Sequence, residues 1–179
     1  VGAFGQYTAT DALMLYGEIG HGQRPATLRL PAATHAGIAV VETPSPSATT
    51  ALSGASYTMR NGQVLSVEYL YDGHGYDHDT AARYYALAAA RAHDFLTSAM
   101  ASVRGQSAAA LGQMLAGAPA LLGRHYAYLL WQSNPQESAL YWRSSFASNL
   151  QDRSTQALLY AEKNLSRRIS VFAAAMLNT

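Results

Sequence analysis

Charged residues are scarce in this sequence, making up 13% of its 179 residues, whereas hydrophobic residues make up 49%. Soluble globular proteins carry about twice that share of charge, so we expect part of the surface to face something other than water. Cysteine is absent, which excludes disulfides and thiolate metal sites. The 12 basic and 11 acidic residues are interspersed and leave a net charge of +1. That balance excludes the basic field typical of nucleic-acid-binding proteins.

Long apolar runs are also missing. A membrane-spanning helix needs roughly 18 or more consecutive apolar residues, and every apolar run here is broken earlier by Gly, Ser, His, Arg or Tyr. A β-barrel needs only alternating apolar and polar positions, which fits the mean hydropathy of -0.05. The chain begins at Val1 without Met or a signal peptide and stops after an apolar alternating run. We therefore expect a processed chain or a fragment.

The clearest local pattern is a β-hairpin at 49–72, centred on Asn61-Gly62. This dipeptide tolerates positive φ angles and predicts a two-residue type I′ turn. On the second arm Leu65, Val67, Tyr69 and Tyr71 alternate with Ser66 and Glu68. A period of two places the two sets on opposite faces of a strand.

The same alternation predicts eight strands, at 3–8, 12–20, 49–60, 63–72, 124–132, 139–150, 155–163 and 169–177. The links between them alternate in length. Tight turns at 9–11, 61–62, 133–137 and 164–168 are separated by long or polar links at 23–48, 73–121 and 151–154. Placing every tight turn at one end is typical of outer-membrane barrels and unusual for a Greek-key sandwich.

The two longest links differ in composition. Segment 23–48 is rich in Pro, Ala and Thr and predicts an irregular loop. Segment 78–118 is rich in Ala and predicts two helices, at about 78–103 and 107–116, broken at Gly105. We expect Asp77 or Asp79 to begin the first helix, and the second to end near Gly117 and Pro119.

Together, the segments GASYTMRNGQVLSVEYLYDG and GRHYAYLLWQ and the paired runs from Ser138 to Leu177 resemble the bacterial outer-membrane β-barrel (porin-like) superfamily. The resemblance implies an all-β fold, an antiparallel transmembrane barrel or part of one, with a helical insertion at about 78–118 in an outer loop of a single domain, 1–179. It also implies an apolar outer face, a polar interior and aromatic girdles. For these girdles we expect Tyr57, Tyr69, Tyr71, Tyr126, Tyr128, Trp131, Tyr141 and Trp142. Such barrels commonly end in an aromatic residue, whereas this chain ends in Leu177-Asn178-Thr179.

The candidate site residues are charged side chains on the predicted polar faces of the strands, namely Glu18, Glu68, Arg143 and Glu162. They would point into a barrel lumen, where they either set ion selectivity or brace and solvate the interior. A second group lies in the segment DGHGYDHD, where His74, Asp77, His78 and Asp79 are weak candidates for metal ligands. Their spacing fits no known ligand pattern and equally suits a turn before a helix. We expect no metal and no cofactor.

No nucleophile motif such as Gly-x-Ser-x-Gly is present, so we expect no enzyme. The sequence instead favours an outer-membrane pore or channel, or a membrane scaffold for a partner complex. Outer-membrane lipid is the expected environment, with a protein partner at the helical loop or on the periplasmic side. The alternative is a soluble, lipocalin-like module that binds a ligand among apolar side chains.

Overall fold

The computed structural model describes residues 1–23, 47–117, 121–134, 140–166 and 168–179. Within them the chain forms one antiparallel sheet of eight strands in sequence order, together with two helices. The strands are β1 (Gly2–Thr8), β2 (Leu13–Gly22), β3 (Ala48–Thr58), β4 (Val64–Asp72), β5 (His125–Gln132), β6 (Leu140–Asn149), β7 (Thr155–Ser166) and β8 (Ile169–Asn178). The helices are α1 (His78–Thr97) and α2 (Ala101–Gly117). The predicted antiparallel β-sheet and its count of eight strands are confirmed for the described residues.

The chain divides into two compact units. The sheet unit comprises Val1–His21, Thr49–Tyr71 and His125–Thr179, and the helical unit comprises Gly22–Ala48 and Asp72–Arg124. The irregular loop predicted at 23–48 lies almost wholly outside the described residues. Positions 135–139, which include most of the turn predicted at 133–137, also lie outside them.

The turn at Asn61-Gly62 differs from the predicted type I′ turn. Gly62 has a φ of 73°, while Arg153 alone among the described non-glycine residues has a positive φ. The Gly62 N–H donates to the carbonyl of Met59, and the Met59 N–H donates to the carbonyl of Gln63. The connection is therefore a three-residue loop in which a turn is followed by a left-handed glycine.

The neighbouring boundaries also shift. β7 extends to Ser166, with a register shift between Asn164 and Ser166, so the connection to β8 is shorter than the predicted turn at 164–168. The helices break at Ser98–Met100 rather than at Gly105. The Ser98 N–H donates to the carbonyl of Asp94, and the Met100 N–H donates to Ser98 Oγ.

The helical unit contains the buried cluster of Tyr76, Ala81, Tyr84 and Met114. Asp77 begins α1 as its N-cap by accepting a 2.8 Å hydrogen bond from the Thr80 N–H, as one of the two predicted candidates. Hydrogen bonds from the Thr80 side chain and backbone, with Arg124 nearby, lower the pKa of Asp77. Burial raises the pKa of Tyr76 to about 12. Among the described residues, no helix is long and apolar enough to cross a membrane.

The sheet unit has almost no apolar core of its own. Of the described hydrophobic residues that are buried, Tyr126 alone lies in the sheet unit. A water-soluble sheet normally buries one face against a second layer. Apart from Tyr126, the described hydrophobic residues of the sheet unit are half-buried or exposed, and the chemistry of its two faces therefore determines what it can contact.

Candidate functional site on the polar face of the sheet

The pairing of the strands assigns each side chain to one of two faces. Residues directly opposite in antiparallel strands share a face, so Glu68 lies with Tyr128, which lies with Ala147, Gln156 and Asn178 in one row. We call the side that carries Glu68 the polar face. The next row along the strands lies on the opposite side, the apolar face, and consists of Val67, Leu129, Phe146, Ala157 and Leu177.

All four predicted lumen residues lie on the polar face. Arg143 pairs with Gln132 and Tyr160, and Glu162 pairs with Tyr141. A hydrogen bond from Tyr16 to Glu68 places Tyr16 on the same face, and Glu18 follows it two residues later on β2. The sheet therefore brings residues from four different strands to one surface.

Two of these four charged groups accept hydrogen bonds from tyrosine hydroxyls. The Tyr16 hydroxyl donates to Glu68 Oε1 at 2.5 Å, and the Tyr160 hydroxyl donates to Glu162 Oε2 at 2.8 Å. Arg143 is exposed, and among the described residues no ion pair joins it to a carboxylate. Three carboxylates and one guanidinium give this face a negative balance.

Two cavities open on the polar face. One of about 320 Å³ is lined by Glu68, Tyr128, Arg143, Ser145 and Gln156 among others. The other, of about 510 Å³, is lined by Tyr16, Glu18, Gln6 and Phe4 among others. Both combine ionic, hydroxyl and amide groups with aromatic rings and with aliphatic side chains such as Leu158 and Met14.

Gly54 leaves room on the polar face for the ring of Tyr16. A Cβ at Gly54 would lie 2.6–2.8 Å from Cζ, Cε2 and the hydroxyl oxygen of Tyr16, so the missing side chain leaves the space that this ring occupies. Because of that space, Tyr16 on β2 crosses β3 and reaches Glu68 on β4. Sequence reasoning did not single out Tyr16 or Gly54.

We expect the substitution Gly54→Ala to displace the Tyr16 ring and to break its bond with Glu68. A hydrogen bond to a charged group contributes about 1.5–3 kcal/mol, so the free energy of unfolding should fall by about 1–3 kcal/mol. Urea titration measures this loss. In a Tyr16→Ala background the same change should cost little, because the obstructing ring is gone. An equal cost in both backgrounds would contradict the role assigned to Gly54.

The aromatic girdle is corrected in part. Trp131 and Trp142 lie on the apolar face with ring centroids 4.9 Å apart, and Tyr57, Tyr69 and Tyr71 share that face. The remaining three predicted members, Tyr126, Tyr128 and Tyr141, lie on the polar face because their partners in the register are Leu70, Glu68 and Glu162.

The metal candidates do not converge. Asp77 serves as the N-cap of α1, while His78 and Asp79 lie exposed in its first turn. The His74 side chain is 3% exposed, and its Nδ1 lies 3.5 Å from Asp72 Oδ1. In the described ranges no three His, Asp or Glu side chains gather as a metal site.

Comparison of the chain with protein-family models, with curated proteins and with solved structures finds no match. The distribution of residues over the two faces is thus the main basis for a functional assignment.

Proposed function

We propose that the chain forms an antiparallel transmembrane β-barrel, or part of one, in the bacterial outer membrane. The polar face lines its lumen and the apolar face contacts lipid. One observation carries the proposal, namely the separation of charge between the faces. Glu18, Glu68, Arg143 and Glu162 lie on the polar face, whereas the apolar face carries only Lys163 among the charged residues of the described strands within the sheet unit.

The exposed side chains of the apolar face support a lipid environment. Val67, Leu129, Phe146 and Leu177 lie in one row across the sheet and are 52%, 41%, 42% and 72% exposed. In water such a surface would be strongly unfavourable, because burial of apolar area stabilises by about 25 cal/mol per Å². In a bilayer it would meet acyl chains.

Strand length and aromatic placement agree with this environment. Six of the eight strands contain 9 to 12 residues, and a tilted strand needs about 9–11 to cross a bilayer. Aromatic rings lie at both ends of the apolar face. Trp131 and Trp142 lie near the end of the sheet at which β3 turns into β4. Tyr69 and Tyr71 contact His125 near the opposite end. Amphipathic rings are favourable at the two membrane interfaces.

A pore or channel is the role that the polar face favours. Its cavities present Glu68, Arg143 and Tyr128 to the lumen side, and such groups interact with ions and polar solutes. A role as a membrane scaffold has separate support in the helical unit, where Leu96, Met100 and Leu115 are 77%, 64% and 78% exposed. These apolar side chains offer a contact for a protein partner.

A soluble lipocalin-like module is not favoured. Such a module would direct apolar side chains toward its cavity and polar ones toward water. Here the cavities open beside Glu68, Glu18 and Arg143, while the opposite face is apolar.

Lipid quenching of tryptophan fluorescence tests the proposal directly. The chain has two tryptophans, and both lie near one end of the apolar face. In vesicles with brominated acyl chains we expect strong quenching, greater for bromine near the headgroups than near the bilayer centre. As a control, Trp131→Phe and Trp142→Phe should each retain quenching of the remaining ring. Unquenched, water-exposed emission from folded protein would overturn the proposal.

A further inference from the structure

The cavity of about 320 Å³ on the polar face is lined by residues of four consecutive strands, β4 to β7. Binding sites for small molecules have volumes of about 300–1,000 Å³, so this one is large enough for a single small solute. Because the four strands are neighbours in one sheet, their register gives the position of each lining residue. The register therefore also gives the arrangement of charge in the cavity.

Three successive rows of the polar face meet at the cavity, and neighbouring rows are two residues apart along each strand. The first row consists of Glu68, Tyr128, Ala147 and Gln156. The second row consists of Ser66, Leu130, Ser145 and Leu158. The third row contains Gln132, Arg143 and Tyr160, of which Arg143 lines the cavity. The cavity thus has a carboxylate in one outer row, a guanidinium in the other, and aliphatic side chains between them.

Glu68 and Arg143 lie far enough apart to bind different groups of one solute. Their rows are four residues apart, which is about 13 Å along a strand, and the two side chains cover part of this separation because both line the cavity. Among the described residues no ion pair joins Arg143 to Glu68 or to another carboxylate. The Glu68 carboxylate accepts a hydrogen bond from Tyr16 and can accept others, since an ionised carboxyl group has about four acceptor positions. Both charged groups therefore have hydrogen-bonding capacity for a solute.

The second row supplies an apolar contact between the two charges. Leu130 and Leu158 lie on either side of Ser145 and are half-buried. A solute with a single charge would leave either Glu68 or Arg143 desolvated without a partner, which opposes binding. A solute that carries an ammonium, a carboxylate and an aliphatic group would pair with both charges and cover the leucines.

We propose that this cavity binds an aliphatic amino acid in its zwitterionic form. The ammonium of the amino acid donates to Glu68, and its carboxylate accepts two parallel hydrogen bonds from Arg143. Its side chain packs against Leu130 and Leu158. A planar guanidinium matches a carboxylate in this geometry, and an ammonium has three donors for an acceptor such as the Glu68 carboxylate. The inference rests on the proposed function and names the class of solute that the polar face would select.

Saturation-transfer NMR with L-leucine tests the inference, because it detects the weak binding expected of a solute that a pore must release. The folded protein in detergent micelles is titrated with L-leucine, with N-acetyl-L-leucine, which lacks the ammonium, and with L-leucinamide, which lacks the carboxylate. Micelles without protein give the background. We expect L-leucine to bind and each analogue to bind about tenfold more weakly, which is the typical effect of losing a hydrogen bond between charged groups.

Two substitutions assign each charge of the solute to one residue. Glu68→Gln should weaken the binding of L-leucine about tenfold but should not change that of N-acetyl-L-leucine, which has no ammonium to lose. Arg143→Gln should weaken the binding of L-leucine by a similar factor and leave that of L-leucinamide unchanged. The amide oxygen of Glu68→Gln can still accept the hydrogen bond from Tyr16, so we expect this variant to fold, as tryptophan fluorescence would verify.

Lys163→Gln is the matched control. It removes a charge from an exposed residue on the apolar face of β7, outside the cavity, and should leave the affinity for all three compounds unchanged. Loss of leucine binding in this variant would mean that net charge, rather than contact in the cavity, determines affinity, and would contradict the inference.

Three results with the unaltered protein would overturn the inference. Equal affinity for the three compounds would indicate apolar contact alone, affinity for L-leucinamide as high as for L-leucine would indicate a cation site, and no binding of L-leucine would exclude the site. In each case lipid quenching of Trp131 and Trp142 would remain if the proposed function holds. Loss of quenching with retained leucine binding would contradict only the membrane location, so the two failures are distinguishable.

Discussion

Replacing Ser144 with Arg is expected, if the apolar face contacts lipid as proposed, to destabilise the protein in lipid by about 1–2 kcal/mol, because the cost of an arginine on a lipid face is about 2–4 kcal/mol at the bilayer midplane and falls toward the interface, where the neighbouring Trp131 is expected to lie. Ser144 lies in the middle of β6, on the apolar face, opposite Trp131 and Leu159. A guanidinium there would lose its hydration and would gain no polar partner in exchange. Urea-induced unfolding from vesicles, followed by tryptophan fluorescence, measures the change.

The adjacent residue supplies a matched control. Ser145 is also half-buried but lies on the polar face, opposite Leu130 and Leu158, beside a cavity of about 320 Å³. Ser145→Arg can extend into this space near Glu68 and should change stability by less than about 1 kcal/mol. Equal costs at the two positions would mean that the faces do not differ in environment, which would contradict a lipid-facing surface.

The strands and their faces could be predicted from the sequence because both depend on a local period of two. Val67, Glu68 and Tyr69 already alternate along β4, and the same rule assigns Glu18, Arg143 and Glu162 to one face. The same rule could also have assigned Tyr128 to the polar face. Tyr128 and Trp131 are three residues apart in β5, and an odd spacing places two side chains on opposite faces. Proximity to a strand end was the weaker criterion for the girdle.

Local sequence patterns gave wrong predictions where the same residues are compatible with two different local conformations. Asn61-Gly62 suits a type I′ turn, but a three-residue loop requires a positive φ only at Gly62 and is equally compatible. Gly105 costs about 1 kcal/mol in a helix relative to Ala, which favoured a break there. α2 nevertheless continues through Gly105, and the chain turns instead at Ser98–Met100, where neither Gly nor Pro marks the position.

The contacts that shape the site were beyond a sequence-based prediction for another reason. Tyr16 meets Glu68 across 52 positions of the chain, and it does so over Gly54 on the intervening strand. Such a contact depends on which strands are neighbours and in which register. Alternation fixes the face of a side chain but does not fix its partner.

Replacing Gly75 with Ala is expected to destabilise the helical unit by about 3 kcal/mol, the upper part of the range for overpacking. A Cβ at Gly75 would overlap the carbonyl oxygen of Gly123 and lie 2.5 Å from its carbonyl carbon. Backbone atoms cannot rotate away as a side chain can, so one of the two segments must move.

That movement would strain the hydrogen bonds between the segment at Gly75 and Tyr76 and the segment from Leu122 to Arg124. The Tyr76 N–H donates to the carbonyl of Leu122 at 2.7 Å, and Arg124 Nε donates to the carbonyl of Gly75 at 3.0 Å. Amide hydrogen exchange should therefore accelerate at Tyr76 and along α1. Because Trp131 and Trp142 both belong to the sheet unit, their fluorescence should change little.

The same substitution at Gly112 should have the opposite sign. Gly112 lies exposed within α2, and a Cβ there would meet nothing within 4 Å. Alanine removes the entropic cost of a helical glycine, so Gly112→Ala should stabilise α2 by about 0.5–1 kcal/mol and slow its exchange. If Gly75→Ala also slowed exchange, or left it unchanged, the backbone at Gly75 would not be in close contact with the backbone at Gly123.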